Sequence, residues 1–216
     1  MQNQPQFRKK GSFRKAKAMV INMKLKAIEK LCKAAGSVRL LDEAPKEDVD
    51  GTKLEPRQWM SDGVAAYPLD GLPYLDEESV CAIFDVDAKK RDKLVITHHP
   101  SLPGGVDFGD LHPGDSPLEP LNFQMSLGGD ELYLLRDKDG ALVVIKSCYR
   151  KPFDAWKECE CYKRIDTSGE PYVAVIHGCV LRGIVYPYKI GDTLVETLGA
   201  VYNAAGVAAD QEQLHM

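Results

Sequence analysis

From residue 24 to residue 35 the apolar positions return at helical spacing. Leu25, Ile28, Cys32 and Ala35 fall on one side, and Lys26, Lys30 and Lys33 share another. This pattern predicts an amphipathic helix stopped by Gly36. A short apolar run at 19–21 reads as a strand before it, and 37–41 as a strand after it. Residues 58–69 read as strand, tight Ser61-Asp62-Gly63 turn, strand. Asp76 is a good N-cap for a short helix over 76–84, with Glu77 and Glu78 in its first turn. A further strand is predicted over 93–97.

Beyond residue 120 the pattern is dominated by strands. Runs at 121–127, 131–136 and 141–147 are separated by Gly128-Gly129-Asp130 and Asp137-Lys138-Asp139-Gly140, both hairpin signals. A short helix is predicted over 149–157, then strands over 158–166 and 172–186 joined by Thr167-Ser168-Gly169-Glu170. A last helix is predicted over 192–205, with Leu194, Leu198, Val201 and Tyr202 inward.

Between these halves, residues 100–120 hold five prolines, four glycines and four acids with little periodicity. The organisation expected is therefore a basic flexible tail (1–22), a first α+β subdomain (23–99), a Pro/Gly-rich acidic linker (100–120), a second α+β subdomain (121–206) and a loose C-terminus (207–216). The fold class expected is α+β, with antiparallel sheets and a few helices on one face, in two subdomains of related size.

Composition adds little to the fold but changes the picture of the surface. The 216 residues are 44% hydrophobic and 28% charged, as in ordinary globular proteins. No stretch approaches the ~20 apolar residues of a membrane span, and no apolar core follows the basic N-terminus as a secretory signal would require. Six scattered cysteines then read as free thiols in a reducing cytoplasm. The net charge of −4 conceals an asymmetry: residues 1–30 carry nine Lys/Arg and one acid, so the rest of the chain has a net charge of −12. Such a body repels nucleic acid at long range. Any DNA contact must come from a local basic stripe: Lys24, Lys26, Lys30 and Lys33, supplemented by Arg8, Lys9, Lys10, Arg14, Lys15 and Lys17 of the tail. Each can neutralise a phosphate without reading a base.

Candidate chemistry is sparse. Asp85-Val86-Asp87 is similar to the aspartate pair of haloacid-dehalogenase-type phosphatases, but a helix precedes it and Ala88-Lys89-Lys90 follows, so solvated acids at a helix end are the better reading. Cys159, Cys161, His177 and Cys179 would share one face if 158–166 and 172–180 pair about Gly169, and Cys₃His is a common zinc set. The same face would carry Ile165, Val173, Val175 and Leu181, which makes the cysteines small core residues and a metal the lesser reading. His98, His99 and His112 border the proline-rich stretch without an acid at ligand spacing, and Cys148 has no nucleophile signature around it. Neither a Gly-rich phosphate loop nor a G-x-S-x-G or H-E-x-x-H motif is present. No catalytic residue, cofactor or resident metal is expected.

The order of elements resembles the units of a bacterial-type DNA sliding clamp. The matching pieces are 19–21, the lysine helix 24–35, Trp59-Met60-Ser61-Asp62-Gly63-Val64-Ala65, the helix 76–84, the strand 93–97 and, near the end, 149–156 with Gly183-Ile184-Val185-Tyr186-Pro187-Tyr188. The style of the sequence is also similar to uncharacterised phage and prophage proteins of Gram-positive bacteria. Two departures stand out: 192–205 has no Lys or Arg, and the halves show no sequence repeat. The resemblance implies a non-enzymatic, clamp-like homo-oligomer, joined through sheet edges around duplex DNA and holding it non-specifically. A contrasting expectation is a phage-encoded inhibitor that binds a host defence or replication protein through its acidic surface, as a DNA mimic.

Overall fold

A computed structural model gives the fold and describes residues 23–45, 50–51, 56–87, 91–191, 197 and 200, without the side chains of 122–124. The sequence-predicted tail, the strand at 19–21, nearly all of the helix at 192–205 and the terminus at 207–216 lie outside these residues.

The fold is α+β. Helix α1 (Leu25–Ala35) leads into β1 (Ser37–Asp42), β2 (Gln58–Ser61) and β3 (Ala65–Pro68). Helix α2 (Glu77–Ile83) and β4 (Val95–His99) follow. Then come β5 (Ser116–Leu127), β6 (Asp130–Asp137), β7 (Leu142–Lys146), β8 (Glu160–Ile165), β9 (Pro171–His177) and β10 (Val180–Val185). They form one ten-stranded sheet in the order β4-β1-β2-β3-β10-β9-β8-β5-β6-β7. β1 and β4 are parallel, and every other pair is antiparallel. The sheet is continuous across the proline-rich stretch, because β3 pairs with β10 at Ala66–Ile184 and Ala65–Val185.

Local chemistry accounts for the short elements. Gly36 closes α1 at φ 66°, and its N–H bonds the Cys32 and Lys33 carbonyls. The Asp76 carboxylate accepts from Ser79 N–H at 2.8 Å and caps α2. In the β2–β3 turn, Asp62 accepts from the N–H groups of Val64 and Ala65, and Ser61 Oγ from that of Gly63. The segment expected as a helix over 149–157 is instead two 3₁₀ turns, Ser147–Arg150 and Trp156–Glu158. Pro152 has no N–H for a helix ladder, and its carbonyl accepts from Lys24 N–H at 2.7 Å.

Both faces of the central strands are covered. On one, Val38, Leu40, Met60, Tyr67, Val173 and Val175 pack against Ile28 and Cys32 of α1, Val80 and Phe84 of α2, and Tyr149 and Phe153. On the other, Leu41, Trp59, Tyr172, Ala174, Ile176, Leu181 and Ile184 receive Phe108, with Leu102, Val106 and Leu111 beside it. The second face of β5–β7 is covered by Tyr188 and Ile190. The proline-rich stretch expected as a linker is thus packed against the sheet, and its last residues are the start of β5. Among the described residues, no helix is long and apolar enough to cross a membrane.

The run expected as one strand over 172–186 is two strands. Gly178 and Cys179, at φ 55° and 71°, make a two-residue turn between β9 and β10. Positive φ at both central positions matches the right-handed twist of the flanking strands. An irregular register between Leu181 and Gly183 follows. Leu181 therefore lies with Trp59 and Ile176, on the face opposite Val173 and Val175, which corrects the one-face expectation.

Candidate functional site

The lysines of the basic helix α1 are the sequence-predicted contacts. Ile28 and Cys32 hold α1 to the sheet, which turns Lys26, Lys30 and Lys33 outward. Lys33 is engaged: its ammonium donates to Glu29 Oε1 at 2.6 Å and to the Phe84 carbonyl at 2.5 Å. Lys24 is 3.1 Å from Asp154. Lys26 and Lys30 are exposed and pair with no described carboxylate. They stand on adjacent turns, roughly 6 Å apart at Cβ. Beside them runs a groove of about 720 Å³, floored by Leu25, Ala27, Leu31, Ala34 and Cys148 and edged by Lys24, Lys26, Lys30 and Lys151. Arg8, Lys9, Lys10, Arg14, Lys15 and Lys17 lie outside the described residues.

The four Cys/His candidates are not brought together. Cys161 is buried in the core, and burial pushes its thiol up to about 12. Cys159 donates toward the Ala155 carbonyl at 3.6 Å, and burial raises its thiol to about 11. His177 lies 3.7 Å from Glu158. Cys179 is exposed in the turn that the sequence reading missed. Among the described residues, no three His, Cys, Asp or Glu side chains converge as a metal-binding group. Asp85 is exposed just past the end of α2.

Two of the histidines bordering the proline-rich stretch have acids beside them, one brought by strand pairing and one from its own stretch of chain. His98 Nε2 is 2.7 Å from Asp42 across the β1–β4 pair. His112 Nδ1 accepts from Gly114 N–H at 3.2 Å, so its proton sits on Nε2, 2.9 Å from Asp107 Oδ2. Asp115 lies 3.3 Å from the same nitrogen. These groups surround Arg164, whose side chain is only 4% exposed. Arg164 grips Asp115 through two hydrogen bonds, at 2.6 and 2.7 Å, and donates to the carbonyls of Asp107, Gly109 and Asp110. Arg164 lies on the sheet face opposite Cys161, where the proline-rich stretch covers it. One buried guanidinium thereby fastens that stretch to β8. This arrangement organises backbone and presents no free nucleophile.

A second concavity lies at the β5–β8 junction, about 740 Å³, bounded by Arg150, Trp156 and Tyr133. Its thiols, Cys159 and Cys161, are held protonated by burial. Comparison with protein-family models, curated proteins and solved structures finds no match to this chain. Functional assignment therefore rests on the chain's own geometry.

Proposed function

We propose that the protein is a non-enzymatic, clamp-like DNA-associated protein of phage or prophage type. It holds duplex DNA non-specifically through the solvent face of α1. The observation that carries this reading is the pair Lys26 and Lys30: adjacent, exposed and without a carboxylate partner among the described residues, on a body that is otherwise strongly acidic. Lys24 and Lys151 border the same groove, and six more bases precede the helix in sequence. Lys33 contributes less than the spacing suggested, because Glu29 and the Phe84 carbonyl already occupy it. The contacts are to phosphates, so sequence is not read. Self-association through the β4 edge belongs to the same reading. Among the described residues β4 is hydrogen-bonded only to β1, and Val95 is 62% exposed there. The cytoplasm is the compartment that fits, since all six thiols are unpaired.

The test is fluorescence anisotropy of a labelled duplex against salt. Each lysine–phosphate contact steepens the slope of log K against log salt by about 0.9. Lys26→Glu with Lys30→Glu is expected to abolish retention near 150 mM salt and to flatten the slope by about 2. An unchanged slope removes the reading and leaves the acidic surface, in the role of an inhibitor's binding face, as the region to test. Light scattering at micromolar concentration tests the oligomer, and a strict monomer argues against the clamp.

A further inference from the structure

We infer that the β5–β8 cleft is a binding site for a nucleotide unit, that is, a planar base carrying a phosphate. Independently of the α1 reading, the cleft combines a cation that has no carboxylate partner among the described residues with aromatic and apolar walls. Arg150 stands in the corner between two nearly perpendicular rings. Its guanidinium carbon is 3.9 Å from the Tyr133 centroid and 5.4 Å from that of Trp156. Stacking fixes the plane of the guanidinium and leaves its edge as the donor surface. Yet its Nε is buried with no acceptor, and no described carboxylate lies within ion-pair distance of it. A guanidinium in such a setting ordinarily has an anion across from it. Phosphate is the anion that matches a guanidinium edge with two acceptors.

The remaining wall explains the planar part. Pro117 and Pro120 line the cleft with Trp156 and Tyr133. Proline and aromatic faces accept a flat ring without hydrogen-bond demands, which suits a base and tolerates its identity. A volume of about 740 Å³ falls in the range of small-ligand sites. Lys157 adds a second cation. The single acid, Glu160, is turned to account by Tyr162, whose hydroxyl donates to it at 2.8 Å. Burial raises both thiols at the base of the cleft, so neither adds a negative charge opposed to phosphate. The ligand chemistry has two sources, a free mononucleotide or one residue of a single strand.

The experiment uses tryptophan emission of the full chain. Trp59 is fully buried, so a response to a cleft ligand comes from Trp156. The protein is titrated with adenosine monophosphate, with adenosine, with ribose 5-phosphate and with a short oligothymidylate. Saturable quenching by the monophosphate is expected, about tenfold tighter than by adenosine or by ribose 5-phosphate. Tighter saturation by the oligonucleotide than by the monophosphate assigns the source to a single strand; the reverse assigns it to a free nucleotide. Arg150→Met is expected to weaken binding about tenfold or more, and Trp156→Phe to remove the signal while ³¹P line broadening persists. Arg150→Lys, which keeps charge but loses the stacked edge, serves where Arg150→Met does not fold, and is also expected to weaken binding. Lys26→Glu with Lys30→Glu leaves the titration unchanged, which separates this site from the α1 surface. Absence of saturable quenching by both adenosine monophosphate and the oligothymidylate overturns the proposal, as does equal affinity in both Arg150 variants.

Discussion

Replacing Arg164 with methionine removes five hydrogen bonds at once and leaves Asp115, whose side chain is 1% exposed, as a buried carboxylate without its cation. Breaking a buried pair from one side costs about 3–5 kcal/mol. For a chain of this length each kcal/mol lowers Tm by roughly 2–4 °C, so Arg164→Met is expected to melt about 6–20 °C below the parent. The pH dependence gives a second readout. Burial alone would raise the Asp115 carboxyl, but hydrogen bonds from Arg164 and from the His112 N–H, with the nearby Arg164 charge, more than offset it and hold it below its ordinary value. Burial would likewise raise the Asp107 carboxyl, and Gly109 N–H, His112 and Arg164 pull it below. A carboxyl depressed in the folded state contributes stability that is complete above its unfolded pKa, about 3.9, and is lost as pH falls through the folded value. The parent should therefore lose stability below about pH 4, and the Arg164→Met variant should show a flatter acid limb. Differential scanning fluorimetry from pH 3 to pH 7, with limited proteolysis of residues 100–115, reads both effects. A melting point within about 2 °C of the parent, with an unchanged acid limb, would refute the assignment of this guanidinium as the fastening of the proline-rich stretch.

Three further outcomes follow from packing and burial. Gly183→Ala places a Cβ 2.7 Å from Phe153 Cζ and 3.3 Å from the Ala66 carbonyl, and should cost about 1–3 kcal/mol in urea denaturation. Cys179→Gly relieves a side chain held at φ 71° and should raise stability by about 0.5–1 kcal/mol, read as a higher urea midpoint at unchanged slope. Native alkylation with iodoacetamide should label Cys179 first, whereas Cys32 and Cys161, buried and with thiols pushed up to about 12, should react only after unfolding; mass spectrometry of the peptides checks the order.

The parts of the fold that depend on local chemistry were readable from residues alone. Gly36 stops α1, Asp76 opens α2, and Ser61-Asp62-Gly63 turns β2 into β3, each through side chains or dihedrals within a few positions. Long-range pairing had no such signal. The parallel β1–β4 pair, and the β3–β10 pair that unites the sheet, join segments whose patterns do not name a partner. β9 is buried at every interior position because both sheet faces are covered, so the alternation that marks a strand's faces is missing. Gly178-Cys179 was hidden inside that apolar run, since cysteine is not a usual turn residue. Prolines also misdirected the reading of β5. Pro117 pairs only with β8 and Pro120 only with β6, so each sits where the strand has one hydrogen-bonded neighbour and the missing N–H is tolerated. Of the candidate sites, the lysine helix was legible from its period. Arg164 and Arg150 were not, because their meaning comes from what the tertiary fold sets against them.

The seam between β3 and β10 also has a consequence for synthesis. β3 ends at Pro68, and its partner is complete only at Val185. At about 5–20 residues per second, the ribosome takes on the order of ten seconds to supply that partner. Through this interval β3 exposes one bare hydrogen-bonding edge, flanked by the apolar faces that Phe153 and Phe108 will later cover. An unpaired edge of this kind recruits other strands. Expression yield should therefore respond to translation speed across residues 69–185 and to chaperone supply, more than the final stability of the sheet would suggest.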